Sequence, residues 1–294
     1  MIESDPTNDQ ILYVGGIDLY RSTNGGTSWN TISNWTVNVH SDQHAMTFRP
    51  GSPNSAIFGN DGGVYYSNNG GTTTESRNQG LNVTQFYSVG VAPAQAVSGL
   101  SGDYFAAGAQ DNGTQYFGNA PAGTSGSIET QGGDGAYTMF DQGADKYYIS
   151  NYVYNNSINY RLMVAPFTVR TINSENPQLP DLPNGAFICP MVLDSNLDVL
   201  YSDYSSDGVF QIRRYSNLKG PGTVSKTILS NALLTASPTA FAVSPYTTGS
   251  TTLLVGTRLG KLLRLTTANA TAAWTDITGP SFVGSISDVE YGAS

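Results

Sequence analysis

Apolar, alternating runs recur along this chain about every 50 residues, each leading through a turn into a second strand-like run, and this spacing constrains the fold more than any other feature. The runs are HAMTFRP (44–50), FYSVGVAP (86–93), AYTMFDQ (136–142), FICPMVLD (187–194), AFAVSP (240–245) and ISDVEYG (286–292). Each has strand length and strand composition. Hairpins such as AIFGNDGGVYYS (56–67) and TLLVGTRLGKLLRL (252–265) follow, one apolar strand reversing through Gly into the next.

A lone sheet of four short strands leaves both faces apolar and cannot bury them by itself. Packing such sheets face to face around an axis covers both faces and shortens the exposed edges. The sequence therefore predicts an all-β fold, a β-propeller of six four-stranded blades forming a single domain over residues 1–294. Seven blades, or a stretch of a larger ring, are the alternatives. ILYVGGIDLYRS (11–22) and SWNTIS (28–33) have the pattern of second, third and fourth strands without a first. The run at 286–292 has the pattern of a first strand with no hairpin after it. Pairing of the N- and C-terminal segments is thus expected to complete one blade.

Solubility rests on uncharged polar groups: only 12% of residues are charged, Lys occurs four times, and Asn, Ser, Thr, Gly and Tyr abound. This composition suits a secreted or cell-surface protein. MIESDP (1–6) lacks the basic and apolar parts of a signal peptide, so a signal for export is expected to lie outside this sequence. The formal net charge of −9 and the single adjacent basic pair, Arg213–Arg214, argue against nucleic acid as a partner, because phosphate binding needs clustered cations. No apolar run approaches the roughly 20 residues of a membrane span. The one cysteine, Cys189, has no disulfide partner in the chain and is expected to pack as a small apolar side chain.

Two short segments repeat a turn chemistry. STNGGTSW (22–29) offers Ser22, Asn24, Gly26 and Trp29, and SNNGGTTT (67–74) offers Ser67, Asn69 and Gly71 without the Trp. Between a third and a fourth strand, the Asn side chain would cap backbone N–H groups and Gly would supply positive φ. Trp29 would cover the end of the blade core.

These segments resemble the Asp-box, Ser-x-Asp-x-Gly-x-x-Trp, with Asn in the Asp position. The chain is thereby similar to Asp-box (BNR) repeat propellers, a group of sialidases, sortilin-type receptors and xyloglucan-hydrolysing glycoside hydrolases. The stretch from HSDQHAMTF to GGDGAY (40–137) looks like the secreted bacterial branch near the sortilin and xyloglucanase types. The Arg-Ile-Pro sequence of sialidases is absent. In xyloglucanases a catalytic Asp sits in Thr-Asp-x-Gly-Gly-x-Tyr, and NDGGVY (60–65) is similar but one residue shorter before the glycines. The resemblance makes Asp61 a catalytic candidate. An inverting partner would stand about 6.5–9.5 Å away, leaving room for a water. Asp111 in GAQDNGT and Asp134 in GGDGAY are the candidates for it. Those enzymes clasp the polysaccharide between two propellers, whereas this chain has length for one.

Each of these three Asp residues lies beside or near Gly, where Asp also commonly caps a tight turn. His40, Asp42 and His44 follow an H-x-D-x-H spacing, which on an extended strand places all three on one face and suits a divalent transition metal. The alternative is a hydrogen-bonded polar cluster. The Asp-Gly turns also suit calcium, although no EF-hand ligand series is present. Tyr147, Tyr148, Tyr152 and Tyr154 in YYISNYVYNNSINY (147–160), with Gln110 and Asn112, offer rigid rings and amides to a glycan or protein ligand. The alternative for the tyrosines is packing between blades. The Pro-rich segment at 173–185 reads as a surface connection able to contribute to a binding rim.

The sequence therefore points first to a non-enzymatic propeller that binds a glycan or protein partner. A glycoside hydrolase acting on a β-glucan such as xyloglucan is the alternative, and a scaffold module of a larger surface assembly is a third.

Overall fold

Short strands bounded by Gly, Asn and Asp turns pair with their neighbours in sequence throughout the chain, so every sheet is a meander. The computed structural model describes residues 1–34, 38–81, 83–120, 126–175 and 184–292. The chain divides into two units, Met1–Gln85 and Phe86–Ser294.

Unit one holds two four-stranded antiparallel sheets. The first is β1 (Ile2–Asp5), β2 (Asn8–Gly15), β3 (Leu19–Ser22) and β4 (Asn30–Ser33). The second is β5 (Gln43–Arg49), β6 (Ser52–Asn60), β7 (Gly63–Ser67) and β8 (Glu75–Ser76). Tyr13, Leu19, Met46, Ala56 and Phe58 form the core of this unit.

Unit two holds four more such sheets. β9 (Ser88–Val91), β10 (Asp103–Ala109), β11 (Gly113–Ala120) and β12 (Ile128–Gln131) form the third blade. The fourth is β13 (Gly135–Phe140), β14 (Tyr147–Tyr152), β15 (Ser157–Leu162) and β16 (Val169–Ser174). The fifth is β17 (Met191–Asp194), β18 (Val199–Asp203), β19 (Ile212–Ser216) and β20 (Ser225–Leu229). The sixth is β21 (Pro238–Val243), β22 (Leu253–Thr257), β23 (Leu262–Thr266) and β24 (Ala273–Asp276). The protein is all-β, with six four-stranded blades of the propeller type and no α-helix among the described residues. No helix of the described residues is long and apolar enough to cross a membrane.

In unit two, second strands such as β14, β18 and β22 are buried on both faces, so their alternate side chains enter two different cores. In β18, Val199 and Tyr201 pack with Leu253, Val255 and Leu263 of the sixth blade. Leu200, between them, packs with Tyr147 and Ile149 of the fourth. The same geometry corrects one expectation. Tyr147 and Tyr148, read as ligand contacts, are 0% and 2% exposed. Tyr147 fills the core shared with the fifth blade, and Tyr148 stacks on Tyr116 at 5.2 Å in the core shared with the third.

Five of the six repeating runs supply first strands, namely β5, β9, β13, β17 and β21. The sixth does not: residues 286–292 belong to no strand ladder, and the first blade takes its first strand from its own N-terminus, Ile2 pairing with Val14 and Ser4 with Leu12. The expected sharing of one blade by the two ends is therefore replaced by a blade complete within residues 2–33. β1 escaped notice because it is short and its first three residues are exposed, which leaves no apolar alternation to read.

Candidate functional site

In an antiparallel blade the start of the first strand and the turn between the second and third strands lie at the same end. At that end of unit two stand Tyr87 before β9, residues 110–112 between β10 and β11, and Asp134 before β13. Residues 153–155 lie between β14 and β15, and Phe187 precedes β17.

The 153–155 turn carries two left-handed residues in succession. Tyr154 and Asn155 have φ of 56° and 54°, the left-handed region that side chains other than Gly adopt at a cost of about 1 kcal/mol or more. A buried network holds them there. Asn155, 1% exposed, donates to the Cys189 Sγ at 2.7 Å and accepts from Asn151 Nδ2 at 2.7 Å. Asn173 Nδ2 reaches the Asn155 carbonyl at 2.8 Å. Tyr154 N–H donates to the Phe187 carbonyl at 3.0 Å. Cys189 thus packs inside, as expected, and burial pushes its thiol well above the usual value.

This scaffold sets Tyr154 edge-on to Phe187, centroids 5.3 Å apart at 82°. Tyr87 meets the same Phe187 ring at 6.5 Å and 83°, and its hydroxyl donates to Gln110 Oε1 at 2.6 Å. Tyr87 is 41% exposed and Phe86 beside it 40%. The result is a half-exposed aromatic cradle with an amide on its rim. Of the residues read from sequence as ligand contacts, Gln110 and Tyr154 belong to it. Tyr152 and Asn112 sit beside it, Tyr152 bonded to Asp134 and Asn112 Nδ2 to the Gln110 carbonyl at 3.1 Å. Tyr87 and Phe187 were not singled out. In sequence, the FY pair before β9 and the FICP run before β17 carry only a strand pattern.

Asp134 accepts from the Asp111 N–H and the Tyr152 hydroxyl, both at 3.1 Å. Both of its oxygens therefore have neutral donors, the arrangement of a turn clamp. Burial, with the Asp134 charge, pushes Tyr152 above its ordinary value. Asp111 has φ of 57° in its turn.

Asp61 lies in unit one, in the turn between β6 and β7, and its carboxylate is bonded by His44 Nε2. Carboxylate oxygens of Asp42 and Asp61 lie within 4.8 Å. The strand premise for His40, Asp42 and His44 does not hold: β5 begins at Gln43, and Asp42 has φ of 62°. His40 Nδ1 instead faces the Ser41 carbonyl at 3.3 Å while His44 turns to Asp61, so the three side chains do not share a strand face. The surface connection at 173–185 falls largely outside the described residues, and its binding role with it.

The two Ser-x-Asn turns are the same to within 0.1 Å in three corresponding bonds. Gly26 and Gly71 N–H each donate to Ser22 or Ser67 Oγ at 2.9 Å. Ser28 and Thr73 N–H each donate to Asn24 or Asn69 Oδ1 at 2.9 Å. The serine hydroxyls reach the same amide oxygens at 3.0 and 2.9 Å. Gly26 and Gly71 have φ of 83° and 85°. Trp29 lies over the first turn, where a Cβ on Gly26 would be 3.6 Å from its ring.

No protein-family model matches the chain, and no curated protein matches it. Among solved structures it is similar to an ancestral GH74 enzyme, at 17% identity and a TM-score of 0.44 over 94% of this chain and 38% of that one. It is also similar to the WD40 repeats of RRP9, at 9% identity and a TM-score of 0.44 over 98% of this chain and 82% of that one. The chain spans 38% of the length of the GH74 enzyme.

Proposed function

We propose that the chain is a carbohydrate-binding propeller that recognises a β-glucan oligosaccharide on the Tyr87–Phe187–Tyr154 cradle without cleaving it. The observation that carries this is the strained, network-held Tyr154 set against Phe187. Strain is retained where the surrounding structure over-determines a functional geometry, and fixed rings bind at low entropic cost. Gln110, held by Tyr87, gives sugar hydroxyls an amide partner. The composition supports a secreted or cell-surface setting. The two matching Ser-x-Asn turns support placement among Asp-box propellers, here with Asn in the Asp position.

Isothermal titration with cello- and xyloglucan oligosaccharides tests this. The wild type should bind one of them at micromolar to millimolar Kd without releasing reducing sugar, and Phe187→Ala should weaken binding at least tenfold. No binding across the panel rejects the reading.

A second reading has one observation in its favour. The Asp42 and Asp61 carboxylates, within 4.8 Å and with His44 on Asp61, are near the separation of about 5–5.5 Å at which retaining glycosidases work. Reducing-sugar release abolished by Asp61→Asn would select a hydrolase over a binding module.

A further inference from the structure

A charge that a strand carries into the seam between two blades needs a counter-charge or a set of carbonyls, because losing water costs an ion several kcal/mol. Three arginines of unit two have one or the other. Arg213 is paired with Glu175. Arg170 donates to the carbonyls of Leu218, Gly220 and Gly222, and Arg214 to those of Ala268 and Ala270. Arg161, in β15, has neither. It is half-buried, and its one hydrogen bond among the described residues runs from Nε to Ser150 Oγ at a long 3.4 Å. Burial pushes its guanidinium below the usual value, and the charge acting against that is the Tyr148 phenol, not a carboxylate. The four N–H donors of its Nη atoms have no acceptor among the described residues.

Alternation along β15 decides where this cation points. Ile158 and Tyr160 pack in the core shared with the fifth blade. Asn159 and Arg161 stand on the other face, toward β12 of the third blade. The buried side chains of Tyr148, Ser150 and Asn159 line that seam. Tyr148 donates to Thr130 Oγ1 at 3.2 Å, and Ser150 Oγ and Asn159 Nδ2 both donate to Gln131 Oε1, at 3.3 and 3.2 Å. Thr171 Oγ1 reaches Asn159 Oδ1 at 3.5 Å, and Ser157 Oγ accepts from Asn159 Nδ2 at 3.0 Å. The result is a seam of hydroxyls and amides fixed by one another, with one unneutralised cation whose terminal nitrogens open to solvent.

We propose that the seam between β12 and β15 binds a sugar acid of the uronate class, with Arg161 as the counter-ion of its carboxylate and Ser157, Asn159 and Thr171 beside it for the sugar hydroxyls. The planar guanidinium presents parallel N–H groups that match the two oxygens of a carboxylate. Its single positive charge also matches a monoanion. A phosphate group would bring about −1.5 to −2 to a place where no second cation acts, in a chain of net charge −9. None of these residues belongs to the aromatic cradle, so the two sites stand or fall separately.

Titration of the full chain, isotope-labelled, with sodium glucuronate reads the Arg161 Nε–Hε resonance directly. It should move along a saturation curve in the millimolar range, stay still with glucose, and respond more weakly to inorganic phosphate. Arg161→Gln should remove the binding, and Arg161→Lys should weaken it about fivefold, because a point charge lacks the fork. With no counter-charge to lose, Arg161→Gln should melt no lower than the wild type in the absence of ligand. Glucuronate should raise the melting temperature of the wild type and not of this variant. An Arg161 resonance that glucuronate leaves unmoved would overturn the proposal. So would a response to glucose or phosphate equal to that of glucuronate, or glucuronate binding that Arg161→Gln leaves intact. Glucuronate shifts confined to the cradle residues would overturn it too, and would leave the cradle reading standing.

Discussion

The buried hydroxyl of Tyr13 in the first blade donates to the carbonyl of Gly70 in the second, 57 residues away, at 3.1 Å. This bond joins the middle of one sheet to the Ser-x-Asn turn of the next, and the Tyr13 ring meets Phe48 edge-on at 5.7 Å. Tyr13→Phe keeps the ring and orphans the carbonyl. Unit one should lose about 1–2 kcal/mol in urea denaturation, and Tyr13→Ala about 3–5 kcal/mol.

The Ser-x-Asn turns predict a pair of matched substitutions. Asn24→Ala and Asn69→Ala each remove the acceptor for one backbone N–H and should each cost about 1 kcal/mol. Asn24→Asp keeps the acceptor for Ser28 N–H, and Ser28 Oγ can then donate instead of accepting. Its stability should match the wild type within about 0.5 kcal/mol.

Asp203, 1% exposed, predicts a pH dependence. Burial pushes its carboxyl from 3.8 up to about 6, against the opposing hydrogen bonds from Ser205 and Ala186. Because the folded state holds this proton more tightly than the unfolded chain, the contribution is full below pH 3.8 and is lost as pH rises to about 6. The loss is on the order of 3 kcal/mol. Comparing wild type with Asp203→Asn by denaturation across this window should show the difference appearing between pH 4 and 6 and staying constant above it.

The repeat was legible because second strands such as β14, β18 and β22 are buried on both faces, which writes near-continuous apolar runs such as LLVGT into the sequence. β1, exposed at its first three residues, carried no signal, and 286–292 carried a misleading one: its residues match a first strand, but no ladder forms. The tyrosines show the same limit. Tyr147 and Tyr154 belong to one Tyr- and Asn-rich run in sequence, and only a ladder position against a left-handed turn separates core from cradle. His40, Asp42 and His44 were spaced for a strand, but spacing does not report that Asp42 breaks the extended backbone. The partners Tyr87 and Phe187 come from different blades, 100 positions apart, a proximity that only folding creates.

The network beneath the cradle predicts a separation of effects. Asn155→Ala removes the bonds to Cys189 and Asn151 and should cost about 2–3 kcal/mol while also weakening ligand binding. Tyr87→Phe keeps the ring and frees Gln110. It should weaken binding about fivefold with stability unchanged within about 0.5 kcal/mol, as read by titration and by thermal melting.

Chemical-shift mapping of the isotope-labelled protein during titration with a xyloglucan oligosaccharide tests the binding face most directly. Resonances of Tyr87, Gln110, Tyr154 and Phe187 should move together along one saturation curve. Saturable shifts confined to other residues, or no shifts at millimolar sugar, would contradict carbohydrate recognition by this cradle.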